Sequence, residues 1–236
     1  MPLVTPEELA RFTDKASKNA EELALYEATD DYIAAYSRHT DLRVRRDGPA
    51  LAIGGQWEEH GPLQLRFLRD RGLEPASRLL DLGCGTGRLA RHAVPYLDPG
   101  HYSGLDISPA ALDHARNLAV AERWAARAPE LLLGDGTLGA VRGRSFDLIW
   151  AHSVFNHLPP QAIESVVAGL RDLSFGAFYF TWKRRERPYR SGLKQWQVPF
   201  AFFVDVAARH GLRAAEFPVD WPQGQKTGMI FPRLER

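Results

Sequence analysis

Residues 78–90 read Arg-Leu-Leu-Asp-Leu-Gly-Cys-Gly-Thr-Gly-Arg-Leu-Ala. Arg78 to Leu82 is a short apolar run of strand type. Gly83, Gly85 and Gly87 then make a turn that feeds a helical pattern from Arg88 to Leu97. Alternate glycines allow positive φ and bring backbone N–H groups close to a ligand, while a helix start adds partial positive charge. The unit predicts a cradle for something nucleotide-like.

Spacing narrows the choice of nucleotide. Gly83-x-Gly85-x-Gly87 is one residue tighter than the dinucleotide fingerprint G-x-G-x-x-G, and Asp81 stands just before it, which argues against NAD or FAD. A second apolar run, His101 to Leu105, ends in Asp106, an acid placed to hold both hydroxyls of a ribose. Leu131-Leu-Leu-Gly-Asp-Gly136 sets a third acid, Asp135, after a third apolar run. The expectation is three strands whose acids fall at one sheet edge.

Taken in order, Asp81-Leu-Gly-Cys-Gly-Thr-Gly87, Asp106-Ile-Ser, Gly134-Asp-Gly136 and Phe146-Asp-Leu-Ile-Trp150 resemble the successive motifs of class I (Rossmann-like) S-adenosylmethionine-dependent methyltransferases. The resemblance implies S-adenosyl-L-methionine as cofactor and S-adenosyl-L-homocysteine as product. It implies that Gly83, Gly85 and Gly87 wrap the methionine end, that Asp81 helps hold its amino group, that Asp106 binds the ribose hydroxyls and that Asp135 faces the adenine amine. The same carry-over sets Cys84, Ile107, Gly136, Ala151 and Ser153 beside the cofactor. Trp57 or His60, just ahead of the motif strand, either touches the methionine end or packs its helix.

Composition agrees with one large α/β unit. The chain has 236 residues, with 30 basic and 29 acidic side chains for a net charge of +1, so no overall nucleic-acid footprint is present. The single cysteine, Cys84, excludes an internal disulfide and a cysteine-built metal site. No apolar stretch suits a signal or membrane span, and a reducing, cytoplasmic setting is expected.

Thr5, Pro6 and Glu8 form a capping-box start for a first helix, and Ala20 to Tyr36 reads as a second helical run carrying an aromatic stripe. Tyr26, Tyr32 and Tyr36 either face substrate or bury against the core, and residues 1–55 are expected to make a helical lid or flap. Thr40 to Gly55 reads as linker, with a helix from Leu63 to Arg71 closed by Gly72. Residues 56–236 are expected to form the methyltransferase domain. From 88 to 182 strands and helices alternate, and Arg213–Val219 and Thr227–Pro232 read as a closing antiparallel pair. The predicted fold is a doubly wound, mostly parallel seven-stranded sheet with helices on both faces and an antiparallel last strand.

A sulfonium methyl is already activated, so such an enzyme need only place a nucleophile in line, exclude water and remove a proton where required. His152 and His157 in Ala151-His-Ser-Val-Phe-Asn-His157 are the candidate bases, His157 alternatively being a loop-shaping residue. In quinone-pathway members of the family the metal-binding acids would fall at Ser153 and Asn156, so no metal is expected. Tyr189, Trp196, Phe200, Phe202 and Phe203 are candidates for an apolar acceptor site, and Arg187 or Arg190 for holding an acidic acceptor; Lys183 to Arg185 reads as a solvated basic loop. A small-molecule O- or N-acceptor is favoured over nucleic acid. Protein or RNA methylation and a non-catalytic cofactor-binding subunit are the alternatives, and the assembly is read as a monomer or homodimer.

Overall fold

The computed structural model describes residues 20–232, so the Thr5–Glu8 capping box lies outside the described residues. Among the described residues nine strands alternate with the main helices: β1 (Leu79–Leu82), β2 (Tyr102–Asp106), β3 (Glu130–Leu133), β4 (Ser145–Ala151), β5 (Ser174–Trp182), β6 (Tyr189–Gly192), β7 (Gln195–Gln197), β8 (Leu212–Trp221) and β9 (Gln225–Pro232). Seven of them form one sheet in the order β3-β2-β1-β4-β5-β9-β8, and β6 and β7 pair separately. β1 to β5 pair in parallel with one another, whereas β9 is antiparallel to both β5 and β8.

Both sheet faces are covered, which explains the continuous apolar runs of the central strands. Successive side chains of a strand point to opposite faces. Leu79, Leu148, Trp150 and Tyr179 therefore join Phe67 and Leu68 of helix α4 (Trp57–Arg69) and Ala93 and Val94 of α5 (Ala90–Tyr96) on one side. Leu80, Ile149, Phe178 and Phe180 meet Ile163 and Val167 of α7 (Pro160–Gly169) and Phe203 and Val206 of α8 (Phe200–Arg209) on the other. Helix α6 (Pro109–Ala121) starts from Ser108, whose hydroxyl accepts from Ala111 N.

Three sequence expectations need correction. The Ala20–Tyr36 run is two helices, α1 (Ala20–Glu27) and α2 (Tyr32–Asp47), because Asp31 accepts from Ala34 N and restarts the chain as an N-cap. Thr40–Gly55 is mostly helix, not linker: Arg43 pairs with Asp47 one turn on, and the Gly48-Pro49 turn signal ends α2 only to begin α3 (Pro49–Ala52). Helix α4 starts at Trp57 and not at Leu63, carrying Pro62 in its interior and the acids Glu58 and Glu59 in its first turn.

In the aromatic cluster at α8, Phe203 is fully buried, stacked on Phe155, tilted against Phe180 and edge-on to Trp182. Phe203→Ala is expected to cost about 3–5 kcal/mol in denaturant unfolding, the usual range for a buried phenylalanine.

Candidate functional site

At the carboxyl ends of β1, β2 and β4 lies one cavity of about 310 Å³. Asp81, Gly83, Gly85 and Asp106 form one wall, and Tyr36, Thr40 and Arg43 of α2 with Ala52 and Ile53 face them. The N-terminal segment is held there by hydrogen bonds to the same edge: Ser37 Oγ donates to Ile107 O, Thr86 Oγ1 to Pro49 O and Ser108 Oγ to Asp41. Arg88, buried beneath the turn, donates to Gly55 O at 3.0 Å.

The glycine turn differs in detail from its sequence reading. Gly83 and Gly85 do adopt positive φ, +73° and +55°, and a Cβ at Gly85 would come within 3.0 Å of Ile53. Their N–H groups, however, are already spent. Gly83 N and Cys84 N donate to Leu105 O, Gly85 N to Asp106 and Gly87 N to Cys84 O. The turn supplies space rather than free donors, and the regular helix behind it begins only at Ala90.

Asp106 accepts from Gly85 N on one oxygen, at 2.8 Å, and from Ser108 N on the other, at 2.9 Å. A carboxylate has about four lone-pair positions, so these bonds leave Asp106 capacity for a further donor. Asp81 is buried and accepts from the Tyr102 hydroxyl at 2.6 Å. Burial pushes its carboxyl up to about 7, against the lowering effect of that hydrogen bond.

His157 Nδ1 lies 2.8 Å from the Lys194 carbonyl oxygen. A carbonyl only accepts, so Nδ1 carries the hydrogen and Nε2 keeps a lone pair. Burial, followed by the Lys194 ammonium, pushes this imidazole down to about 3. His152, wedged against Trp150, Trp221 and His60, is also held well below the usual imidazole range by burial.

Not every predicted residue reaches the cavity. Asp81, Gly83, Cys84, Gly85, Asp106, Ile107, Gly136, His152, Ser153, His157 and Trp196 line it, as do Tyr36 and His60. Trp57 instead packs on His114 and Arg91, and Gly87 packs on Ala115. Ala151 is buried in the core. Asp135 is exposed and accepts from Thr137 N and Oγ1, so Gly134, Gly136 and Thr137 form that stretch of wall.

Of the proposed acceptor residues, Tyr26 is buried behind α2, and the Tyr32 hydroxyl donates to His157 O. Tyr189 is exposed and packs on Arg185, and Phe200 belongs to the α8 aromatic cluster. Arg190 donates to Leu193 O and lies over the Trp196, Tyr32 and Tyr26 rings. Lys183, read as part of a solvated loop, is half-buried and lines the cavity. Lys194 and Gln195 were missed because their position depends on the β6–β7 hairpin, which is pinned by Trp196 N donating to Asn156 O. Only the Ser-Gly-Leu-Lys turn signal at 191–194 hinted at that hairpin.

Among the described residues, no group of three His, Cys, Asp or Glu side chains could hold a metal, and no helix is long and apolar enough to cross a membrane.

Comparison with known proteins agrees with this geometry. Residues 80–174 match a family model described as a methyltransferase domain. A ubiquinone biosynthesis O-methyltransferase of Hahella chejuensis (strain KCTC 2396) is 25% identical over 132 residues, covering 56% of this chain and 54% of that protein. The chain thus spans about half the length of that curated relative. The fold is similar to that of magnesium protoporphyrin IX methyltransferase from Synechocystis PCC 6803 crystallised with bound SAM, with a TM-score of 0.63, 16% identity and coverage of 87% of this chain and 99% of that one. A glycopeptide N-methyltransferase in complex with S-adenosyl-L-homocysteine gives a TM-score of 0.57 and 16% identity, covering 73% of this chain and 90% of that chain.

The buried imidazoles make stability pH-dependent. His39, His152 and His157 all lie below free imidazole, so the unfolded chain binds more protons and stability falls as pH drops from about 6.5 toward about 3. Asp81, raised from 3.8 to about 7, and Asp106, also raised by burial, work in the opposite sense, while His60, His92 and His114, lowered by burial, add to the three imidazoles. Thermal unfolding between pH 8 and pH 4 is expected to show the net loss, and His157→Gln to make it shallower.

Proposed function

We propose that the chain is a class I S-adenosylmethionine-dependent methyltransferase, as the methyltransferase-domain match over residues 80–174 supports, and that it moves a methyl group from S-adenosyl-L-methionine to an O or N atom of a small-molecule acceptor. The observation that carries this reading is the single cavity that joins the Asp81–Asp106 wall to a chamber walled by Tyr36, His157 and Trp196. When bound, the cofactor supplies an electrophilic methyl that needs no further activation.

The residues present fit that cofactor. The remaining acceptor capacity of Asp106 suits a ribose hydroxyl, and the positive-φ turn leaves the room that any larger side chain at Gly85 would take from Ile53. Asp81, buried and close to its midpoint at neutral pH, suits the amino group of the methionine moiety. On the acceptor side, Tyr36 and His157 lie 5.6 Å apart with an interplanar angle of 30°, a shelf for a flat acceptor. Enclosure by α2 and the β6–β7 hairpin limits water, and orientation alone can contribute roughly 7–11 kcal/mol to such a transfer. His157 Nε2 can accept a hydrogen bond from an acceptor hydroxyl or amine and orient it.

A macromolecular acceptor is less well supported, because the basic clusters are largely used internally. Arg43 and Arg46 pair with Asp47, Arg46 also with Glu22, and Arg184 with Glu216. A cofactor-binding subunit without catalysis would not need the chamber beyond Asp106.

Calorimetry with S-adenosyl-L-homocysteine tests the cofactor half of this reading. Asp106→Asn replaces an acceptor with a donor facing Gly85 N or Ser108 N and is expected to weaken binding by roughly 10- to 100-fold. Because an ammonium beside Asp81 favours its ionised form, binding at pH 6.5 is expected to release a proton, seen as a dependence of heat on buffer ionisation enthalpy. Asp81→Asn should remove that dependence. Absence of any homocysteine-product binding by the unaltered protein would overturn the assignment.

A further inference from the structure

We propose that the acceptor carries an anionic group, a carboxylate or phosphate, which Lys194 and Lys183 hold at the end of the cavity away from Asp106. The inference rests on the methyl-transfer reading and names the substrate class of the same site.

The charge lining the cavity is uneven. Its only lining carboxylates among the described residues are Asp81 and Asp106, both by the glycine turn, where the guanidinium of Arg88 also acts on Asp81 and donates to Ile53 O and Gly55 O. The opposite end is lined by Arg43, Lys183 and Lys194 together with the neutral Thr40, Gln195 and Gln197. Arg43 is committed to Asp47 and to Leu51 O. Neither lysine makes an ion pair among the described residues, yet both are half-buried. The Lys194 Nζ lies 6.0 Å from the centroid of the Tyr36 ring, over the shelf that suits a flat acceptor.

Taking an ammonium out of water without a counter-charge is unfavourable, and a protein that keeps one at a cavity wall gains from an anion that enters. The strain is visible in the groups around it. Burial and the neighbouring Arg43 push Lys194 down to about 8, with Arg46 acting the same way and Glu22 and Asp47 opposing. His39 and His157, which also face it, are held neutral by burial and by Lys194 itself. Glu22 does not relieve the lysine, because its carboxylate is taken by Arg46 at 2.6 Å and lies 3.5 Å from His39. The hairpin fixes the lysine in place through its own backbone, since Lys194 O accepts from His157 Nδ1. Arg190, the sequence-based candidate for this role, instead braces the hairpin through Gly192 O and Leu193 O.

The test is equilibrium binding in the presence of saturating S-adenosyl-L-homocysteine, with 4-hydroxybenzoate and phenyl phosphate as probes and 4-hydroxybenzamide and phenol as their uncharged partners. At least one anion is expected to bind about tenfold or more tightly than its uncharged partner, and which anion does so separates carboxylate from phosphate recognition. Lys194→Met should erase that preference, Lys194→Arg should keep it, and Lys183→Met should reduce it. Unliganded melting temperatures and homocysteine-product affinity of each variant control for folding. Affinity for phenyl phosphate should also fall as pH rises above about 8 while affinity for phenol does not, because the proton leaves Lys194. Equal binding of charged and uncharged probes, no binding of any probe to a protein that still takes the homocysteine product, or an anion preference untouched by Lys194→Met would each overturn the inference and leave the cofactor assignment standing. Failure to bind the homocysteine product would remove both.

Discussion

The carboxylate of Asp106 is where the structure is tied together. Its two oxygens accept from Gly85 N and Ser108 N, so one side chain at the end of β2 sets the turn after β1 and the start of α6. Burial raises its pKa and opposes its charge, while backbone N–H groups from Gly85, Ile107 and Ser108 favour it. The same corner anchors the N-terminal segment, because Ser108 Oγ and Ala110 N both donate to Asp41 of α2 and Ser37 Oγ donates to Ile107 O. The turn, the helix start and the covering helix therefore share one set of hydrogen bonds. Buried polar networks of this kind are costly when incomplete and specifying when satisfied.

The covering segment adds a second constraint. It brings Arg43, Glu22, Arg46 and Asp47 close to Lys194 and His157, so that end of the cavity exists only when α1, α2 and the β6–β7 hairpin are packed together. Tyr32 illustrates the joint: its hydroxyl donates to His157 O while its ring meets Trp196 edge-on at 6.0 Å. The stripe of tyrosines read from the sequence is thus divided between two tasks. Tyr36 faces the cavity, whereas Tyr26 and Tyr32 hold the helix and the hairpin against each other.

Short-range chemistry explains what was legible in the sequence. Apolar runs ending in glycine or an acid gave strands within a residue or two of their observed limits, since both sheet faces are buried and leave little ambiguity. The break at Thr29–Asp31 and the continuation of α2 through Arg46 were hidden, because capping and the Arg43–Asp47 pair compete with the same polar composition that marks a loop. The cavity wall formed by the hairpin was the least legible part. Lys194 and Lys183 sit in a charged stretch that looks solvated until the hairpin folds it over the loop after β4. The contacts that do so join residues 37 or more positions apart, such as His157 Nδ1 to Lys194 O, and leave no local pattern.

The electrostatics of that wall bear on how a proton could leave an acceptor. An imidazole held near 3 cannot keep a proton at neutral pH, so His157 is unsuited to ionising an acceptor in advance, although its Nε2 lone pair can align one. Nearby ammonium groups act on the acceptor in the same direction that they act on the histidine: positive charge favours the deprotonated form of any hydroxyl brought beside it. Lys194 and Lys183 would therefore lower the pKa of an acceptor hydroxyl while disfavouring a protonated His157. In such a chamber the nucleophile is prepared by the charge around it and by orientation, and a side chain with a pKa near neutrality is not required.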